Sequence, residues 1–382
     1  MSASEKRIAA MRELIARENA IAYLAFDPVD IAYLTAFEDV FDSEWAHALL
    51  ITSSVAMLHT DSRYAAACER EAARQGNIVA IDSTPDSHGA FVARQGAFGQ
   101  ISVDDGITLK TYRALEKELP STMIIVTKEV GTRFRAKKDE GEIAHLRQAQ
   151  QMTDDAFGAI VAYIAQEMRA GNPPTERQVA RVLENELFDR GAEALSFATI
   201  VASGENSANP HAIPSLRQLA WGDSVVIDFG CKIHGYCSDM TRTVFLGEPS
   251  SQMRRAYEAI TAANEAVEAA LRPGVTGKEM HELAESVLAE HGFAGAMGHG
   301  LGHGVGREVH ELPTLNKRYD KPLEAGNVVT VEPGIYLASG HGLLEEGQAP
   351  FGMRLEDFGV LNAEGFSNFT QTAHAPVIIE KD

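Results

Sequence analysis

Four carboxylates and one imidazole in the second half of the chain are the residues best suited to chemistry. They lie in the segments VVIDFG, GYCSDMTRT, GHGLGHGVG, VVTVEPGIY and MRLED, and they are Asp228, Asp239, His303, Glu332 and Glu356. Mainly oxygen ligands with one nitrogen suit divalent ions such as Mn²⁺ better than a thiolate zinc site would. Four carboxylates carry more negative charge than one divalent ion neutralises. The set therefore predicts two ions, roughly 3.5–4 Å apart, which is an arrangement used for hydrolysis.

Two of these carboxylates, Asp228 and Asp239, lie on neighbouring predicted strands. If the reversal between them centres on Ile233 and His234, the two aspartates stand directly opposite each other. Cross-strand Cβ atoms are about 4.5–5.5 Å apart, so both carboxylates would reach the same ions. Aspartates near turns are common for purely structural reasons. Asp228, however, follows an apolar run, where a buried charge needs partners.

Glu332 and Glu356 are predicted to form a second pair of this kind. Glu332 stands between Val331 and Pro333 at the end of an apolar run, which favours a buried and partnered role. Glu356 taken alone would be unremarkable on a surface strand. The long connection between the two strands is turn-rich, and its own glutamates are interpreted as solvated charges.

The histidines need their context before a role can be assigned. The run GHGLGHGVGREVHE contains His299, His303 and His310. The first two are four positions apart, as in the helical zinc motif, but the glycines of the run argue against a helix. The glutamate of that motif is also absent. His211 lies in the loop NSANPHAIPS, where a lone histidine is usually a polar surface residue. Any of these histidines alone would more often be structural, but three of them beside an oxygen-rich set favour function.

Composition excludes several classes of protein. The 382 residues suggest about two domains, and the net charge of −20 argues against binding to nucleic acid or to anionic lipid. No apolar stretch approaches the ~18 residues of a membrane helix, and the first residues lack a signal-peptide pattern. The three cysteines, Cys68, Cys231 and Cys237, form no disulfide framework. We therefore expect a protein of the cytoplasm that neither enters nor docks on membranes.

Strand and helix patterns divide the chain near Ala136. Residues 1–135 alternate strand-like and helix-like segments, which predicts a small α/β domain. Residues 136–382 show helices and then strands, twice over, which predicts an α+β domain of two similar halves. Each half supplies two of the four carboxylates, so the site is expected where the halves meet.

Together these motifs resemble the pita-bread metallopeptidases, in the branch that contains aminopeptidase P and prolidase. The resemblance is carried by VASGENSANPHAIPS, GYCSDMTRT, GHGLGHGVGREVHE and TVEPGIY…RLED, and DIAYLTAF is similar to the N-terminal domain of that branch. Methionine aminopeptidases share the catalytic fold but usually lack this first domain. The resemblance implies an α+β pita-bread catalytic domain preceded by a small creatinase/prolidase-like α/β domain.

The resemblance also implies a role for each predicted ligand. Asp228 would chelate one ion, and Asp239 would bridge both ions. His303 and Glu332 would bind the second ion, and Glu356 would be the other bridge. A metal-bridging hydroxide would be the nucleophile, and Glu332 would also take and pass on its proton.

Residues near the ligands are implied to act on the substrate. His310 and His211 would contact the scissile carbonyl or the tetrahedral intermediate. Arg354 would position the substrate or support the carboxylates, although a purely structural ion pair is its alternative. Arg307 and the connection 337–353 depart from the usual pattern of the family, and we expect both to shape the rim of the pocket.

The implied function is a dinuclear-metal hydrolase that cleaves the peptide bond before proline, as an Xaa-Pro dipeptidase or Xaa-Pro aminopeptidase. Its substrate would be a small peptide, its ions Mn²⁺, with Co, Zn or Fe able to fill the same set, and its assembly a homodimer. The alternatives are a dimethylsulfoniopropionate lyase-like enzyme, a creatinase-like C–N hydrolase without metal, and a metal-free binding module. The last two alternatives are disfavoured because all five predicted metal ligands are present.

Overall fold

The computed structural model describes residues 2–17, 20–38, 40–42, 44–128 and 130–381. Within it the chain divides into two compact units, Met1–Phe134 and Arg135–Asp382. None of the described helices combines the length and the apolar character that a membrane-spanning helix needs.

The first unit is built on a six-stranded mixed sheet with the order β4-β3-β2-β1-β5-β6. Its strands are β1 (Ala22–Ala25), β2 (Ala48–Thr52), β3 (Ala56–His59), β4 (Ala80–Asp82), β5 (Gln100–Asp104) and β6 (Met123–Thr127). Its helices are α1 (Ala3–Arg17), α2 (Pro28–Thr35), α3 (Ser62–Arg74), α4 (His88–Gln95), α5 (Leu109–Glu118) and α6 (Val130–Arg135). Strands and helices alternate after β3, which confirms the predicted α/β fold of this unit. Among its strands, the short β3 has no counterpart in the sequence prediction.

An apolar stripe on α1 contributes to the core of this unit. Ile8, Met11 and Ile15 are buried in a cluster with residues of the sheet, such as Tyr23 and Leu49. Burial of such a side chain is worth roughly 1.5–3 kcal/mol, so the stripe is enough to hold α1 against the sheet.

The second unit repeats one pattern, a pair of helices followed by strands. The first half has α7 (Glu140–Arg169), α8 (Glu176–Asp189), β7 (Ala194–Leu195), β8 (Ile200–Ser203), β9 (Ser224–Phe229), β10 (Cys231–Ile233), β11 (Tyr236–Cys237) and β12 (Met240–Leu246). The second half has α9 (Ser251–Ala270), α10 (Gly277–Glu290), β13 (Gly302–Gly304), β14 (Glu311–Leu315), β15 (Val328–Val331), β16 (Gly334–Leu337), β17 (Phe351–Arg354), β18 (Asp357–Asn362), β19 (Gly365–Asn368) and β20 (Val377–Ile379). The predicted α+β fold of two helix-then-strand halves is confirmed.

The helices of each half pack mainly on strands of the same half, and β20 from the end of the chain joins the sheet of the first half. In the first half, α7 and α8 form one hydrophobic cluster with the strands of the sheet β20-β12-β9-β8. In the second half, α9 and α10 form another with strands that include β15, β16 and β17. A bridge between Thr241 and Glu356 joins strand ends of the two halves. The predicted ligands of both halves can therefore meet.

The pairing of β9 with β12 differs from the sequence prediction. Asp228 stands opposite Thr241, not opposite Asp239. The reversal centres on His234 and Gly235, one residue later than expected. When the centre of a hairpin turn moves by one residue, the cross-strand partner of a given residue moves by two positions along the chain. Both turn residues have positive φ, 51° and 72°, which is the conformation that two-residue hairpin turns require and glycine favours.

Candidate active site

All the predicted site residues line one cavity of about 460 Å³. They are His211, Asp228, Asp239, His303, His310, Glu332, Arg354 and Glu356. The cavity contains side chains from both halves of the second unit, as expected for a site where the halves meet. Its volume suits a small ligand rather than a folded protein segment.

Strand ends carry the five predicted ligands. Asp228 is near the end of β9, and Asp239 directly precedes β12. His303 is the central residue of β13, Glu332 directly follows β15, and Glu356 lies between β17 and β18. The pairing of Val331 with Asp357 brings Glu332 and Glu356 opposite each other, one step beyond the end of the β15–β18 ladder.

The His303 ring lies close to carboxylates of both halves. Its Nε2 atom is 3.6 Å from Oδ2 of Asp239 and 3.3 Å from Oε1 of Glu332. Its Nδ1–H donates to the carbonyl oxygen of Gly304 at 3.2 Å, which leaves Nε2 as a free acceptor that points at the carboxylates. Asp239, His303 and Glu356 each offer an atom within 4.8 Å of the others, a spacing that suits one metal ion.

Burial and mutual repulsion disfavour ionisation of the clustered carboxylates. Burial raises the pKa of Asp239 and of Glu356 well above the usual range, and neighbouring carboxylates raise each further. Burial also raises the pKa of Glu332 to about 8. The pKa of His303 falls to about 3, first through burial and then through nearby His310, so its ring is neutral. Buried carboxylates that repel one another form a site that a cation would stabilise.

The guanidinium of Arg354 is held inside the carboxylate cluster. It donates to Asp228, to the Thr241 hydroxyl at 2.9 Å and to the Tyr336 hydroxyl at 2.6 Å. The Thr241 hydroxyl in turn donates to Oε2 of Glu356 at 2.6 Å. Of the roles considered for Arg354, these contacts favour support of the carboxylates.

The histidines around the cluster differ in their surroundings. The His310 ring lies edge-on to His303, with 4.3 Å between the ring centroids. His299 donates from Nδ1 to the carbonyl oxygen of Gly300 at 2.6 Å, and its Nε2 meets the Tyr336 hydroxyl at 3.1 Å. His211 is exposed on its loop. Thus His310 lies beside the proposed ligand His303, and both His310 and His211 are exposed residues of the cavity wall.

Residues that the sequence analysis did not single out complete the supporting contacts. Arg242 is fully buried and donates to the carbonyl oxygens of Glu356 at 2.6 Å and Thr241 at 3.0 Å. Thr241 lies two residues after Asp239, the period that places side chains on one face of a strand. That spacing could have identified Thr241. Tyr336 and Arg242 have no comparable local signal.

Arg307 and the connection 337–353 do not contribute to the described cavity wall. The Arg307 guanidinium instead lies over the Tyr236 ring, 5.1 Å from its centroid. The connection contacts α9, where the Gln252 side chain donates to the carbonyl oxygen of Leu343 at 2.5 Å. Among the described residues, neither therefore lines this cavity, and their effect on the rim of the pocket stays a prediction.

A second group with metal-ligand spacing consists of Glu268, Asp357 and His374. Asp357 already forms an ion pair with Arg242 at 2.6 Å and a hydrogen bond with His374 at 2.5 Å. The positive charge of the guanidinium compensates the buried carboxylate and opposes a cation there. We therefore interpret this group as a satisfied ion network that supports the strand after Glu356.

Comparisons with known proteins agree over nearly the whole chain. Residues 144–363 match the profile of metallopeptidase family M24, and residues 7–137 match the creatinase/prolidase N-terminal domain. The chain is 36% identical over 273 residues to an Xaa-Pro dipeptidase from Lactobacillus delbrueckii subsp. lactis, which covers 70% of this chain and 69% of that protein.

Solved structures that resemble this chain over nearly its whole length include two at 30% identity. The Xaa-Pro dipeptidase from Bacillus anthracis has a TM-score of 0.88 and 30% identity, covering 98% of this chain and 99% of that one. The X-Pro aminopeptidase from Thermotoga maritima MSB8 has a TM-score of 0.82 and 30% identity, with 97% and 99% coverage. Motifs, fold and comparisons thus agree, and the chain belongs to metallopeptidase family M24, with a creatinase/prolidase N-terminal domain.

Proposed function

We propose that this enzyme is a dinuclear-metal hydrolase that cleaves the peptide bond before proline, as an Xaa-Pro dipeptidase or Xaa-Pro aminopeptidase. The observation that carries the proposal is the convergence of Asp239, His303 and Glu332 at one wall of the cavity, with separations of 3.3 and 3.6 Å from the imidazole nitrogen. The similar proteins named above support the substrate class, and they include both a dipeptidase and an aminopeptidase.

The residues of the cavity fit divalent ions. The buried Oδ1 atom of Asp228 has no hydrogen-bond partner among the described residues, and a buried acceptor left in that state is costly. Among the residues that the structure describes, Arg354 supplies the guanidinium that faces the four carboxylates, so the cluster can accommodate further positive charge. Two divalent ions would be held by the set that the sequence indicated, which is Asp228, Asp239, His303, Glu332 and Glu356. Their oxygen-rich character favours Mn²⁺.

The chain's own residues are assigned the proton transfers and the orientation of the peptide. When bound, the ions would lower the pKa of a water molecule and polarise the scissile carbonyl. Glu332 would take the proton of the attacking water and pass it to the proline nitrogen as the C–N bond breaks. His310 and His211 would contact the carbonyl oxygen. The pKa of His310 is lowered, chiefly by burial, so its neutral ring can still donate one N–H.

Proline is distinguished from other residues by the shape of its ring. The X–Pro bond is a tertiary amide without an N–H, so recognition has no donor to use at that position. The cavity wall includes the apolar side chains of Phe197, Ile200, Ile213 and Val309, which offer contact rather than hydrogen bonds. Replacement of proline by alanine would therefore remove fit.

A reducing compartment is proposed as the setting of the enzyme. Cys68, Cys231 and Cys237 are free and buried, which agrees with a reducing compartment such as the cytoplasm. A homodimer is proposed from the family resemblance alone.

A panel of short peptides tests the proposal. The Mn²⁺-loaded enzyme is assayed with Ala-Pro, Ala-Ala, Ala-Pro-Ala and Ala-Ala-Ala. We expect kcat/KM to favour proline by at least about tenfold, because apolar fit is worth ~1–3 kcal/mol. The ratio between the two lengths separates dipeptidase from aminopeptidase. Equal rates for proline and alanine would refute proline specificity, and no cleavage at all would favour the lyase-like or creatinase-like alternatives.

A further inference from the structure

One buried carboxylate, that of Glu176, closes the loop that carries His211. Glu176 is the first residue of α8 and has no exposed surface. Its two oxygens accept from Ser203 N and Oγ at 2.8 and 2.7 Å, from Asn206 Nδ2 at 3.1 Å, and from Ser215 N and Oγ at 3.0 and 2.6 Å. Ser203 ends β8 and Ser215 lies twelve positions further on, so a single side chain ties the two ends of the loop together.

A second set of contacts, made by Arg217 and Asp223, also fixes the ends of this loop. Gly204 has a φ of +52°, and a Cβ atom there would clash with Nη2 of Arg217 and lie 2.6 Å from Oδ1 of Asp223. Arg217 pairs with Asp223 and donates to the hydroxyl of Ser203 at 2.7 Å. The backbone N–H of Glu176 donates to the carbonyl oxygen of Arg217 at 3.0 Å. Glu176, Ser203, Ser215 and Arg217 are thus connected in one network around the ends of the loop, which we call the clamp.

Two side chains at the tip of the loop have little packing of their own, although Ala212 between them is buried. Residues 210–214 all line the cavity, yet His211 is exposed and Ile213 is 84% exposed. The backbone N–H of His211 is bonded only within the loop, to Oδ1 of Asn209 at 3.1 Å. A tip of this kind takes its direction from the residues that anchor its ends.

The clamp is suited to remain charged. Burial alone would raise the pKa of Glu176, but hydrogen bonds from Ser215 and Ser203 more than offset this and hold the pKa below its usual value. Hydrogen bonds to a charged acceptor are roughly twice as strong as neutral ones. A neutral replacement of the same size would weaken every bond of the clamp.

We propose that Glu176 is a positioning residue for peptide cleavage, which holds the segment 204–214 so that His211 and Ile213 face the bound peptide. The proposal rests on the proposed function, because it is there that His211 is assigned a contact with the substrate. It also accounts for Ser203, Asn206 and Ser215 in the motif VASGENSANPHAIPS, of which the chemistry itself uses only His211.

The test combines Glu176→Gln with His211→Ala. We expect Glu176→Gln to keep the metal content of the wild type, because none of the proposed ligands contacts Glu176, and to lower kcat/KM for the cleaved proline peptide at least about tenfold. In the His211→Ala background the same change should lower kcat/KM by clearly less than it does in the wild type, since residues that act through one another are not additive and only the misplacement of Ile213 would remain. Hydrogen exchange should become faster at the amides of 204–214. Glu186→Gln, on the same helix in an ion pair with Arg190, is the matched control and should change none of these.

Additive losses in the double variant, or unchanged exchange in the segment 204–214, would overturn the proposal. If Glu176→Gln does not fold, Glu176→Asp keeps the carboxylate and is put through the same measurements, with a smaller loss expected. The exchange measurement needs no substrate. A wild-type enzyme that cleaves no proline peptide would therefore refute the proposed function, while exchange still decides whether Glu176 holds the loop.

Discussion

At the scale of single residues, the Thr241 hydroxyl connects a carboxylate of the candidate site with the guanidinium that compensates its charge. Its hydroxyl donates to Glu356 and accepts from Arg354, which also binds Asp228. One small side chain therefore relates carboxylates from both halves to the same guanidinium. Arg242 donates to the backbone carbonyl oxygens of Thr241 and Glu356. The orientation of Glu356 is therefore fixed through both its side chain and its main chain.

Removal of one predicted ligand should remove metal. We expect Asp239→Asn to lose at least one ion, and we expect a chelator to abolish activity that Mn²⁺ or Co²⁺ then restores. The reason is that Asp239 is buried among carboxylates and lies 3.6 Å from the His303 nitrogen. Metal analysis by mass spectrometry measures the loss. Full activity of Asp239→Asn with its metal stripped would rule out the dinuclear mechanism.

His303 and His310 should separate into a ligand and a helper. We expect His303→Ala to lower the metal content and His310→Ala to keep the metal while lowering kcat by ~10²–10³-fold, which is typical of a lost transition-state contact. The neutral His303 ring points its Nε2 atom at the carboxylates, whereas His310 lies edge-on beside it. The opposite pattern of metal contents would reverse the assignment.

At the scale of elements, the sequence predicted the strands and helices well and the register of one hairpin badly. Apolar runs ending in an acidic residue identified β9 and β15, because a charge at the end of a buried strand needs a partner that offsets its loss of hydration. The turn between β10 and β11 was misplaced because the choice between Ile233-His234 and His234-Gly235 depends on backbone angles. Glu176 was missed because a glutamate after a helix-capping threonine is ordinary, and its partners are distant in the chain.

A buried ion group in the second unit should contribute to the stability of that unit. Lys138 Nζ is 2.9 Å from Oε2 of Glu311, Arg135 Nε is 2.8 Å from Oε1, and the charged groups are almost fully buried. We expect Lys138→Met to lower the free energy of unfolding by about 3 kcal/mol, because it leaves a buried carboxylate short of positive charge. The double variant Lys138→Met/Glu311→Gln should recover part of the loss. Urea unfolding measures both, and a double variant less stable than the single one would contradict this role of the ion group.

At the scale of the whole molecule, stability should fall in mild acid through a histidine pair in the first unit. Nδ1 of His88 lies 2.8 Å from Nδ1 of His59, whose Nε2–H donates to the carbonyl oxygen of Thr84 at 3.1 Å. His59 therefore accepts from His88. Burial, followed by repulsion from His59, lowers the pKa of His88 from its ordinary value of 6.5 to about 4.

The sign of the effect follows from proton uptake. Between pH 6.5 and about 4 the unfolded chain binds a proton at His88 and the folded chain does not. The contribution of neutral His88 to the free energy of unfolding is therefore fully present above pH 6.5 and is lost as the pH falls towards 4. The loss is at most about 3 kcal/mol. His88→Gln should remove this part of the pH dependence when urea unfolding is compared at pH 7 and pH 5. An identical pH slope in wild type and variant would contradict the assignment.

The division of the proposed ligands between the halves of the second unit has a consequence for how metal concentration acts on the protein. Asp228 and Asp239 come from one half, and Glu332 and Glu356 from the other. Ions held by carboxylates from both halves would link the two halves reversibly, and binding only to the folded state adds about 2.7 kcal/mol when the free ion is at 100 times its Kd. The melting temperature of the catalytic unit should then report the availability of the ion, and lose that sensitivity when either half loses its carboxylates.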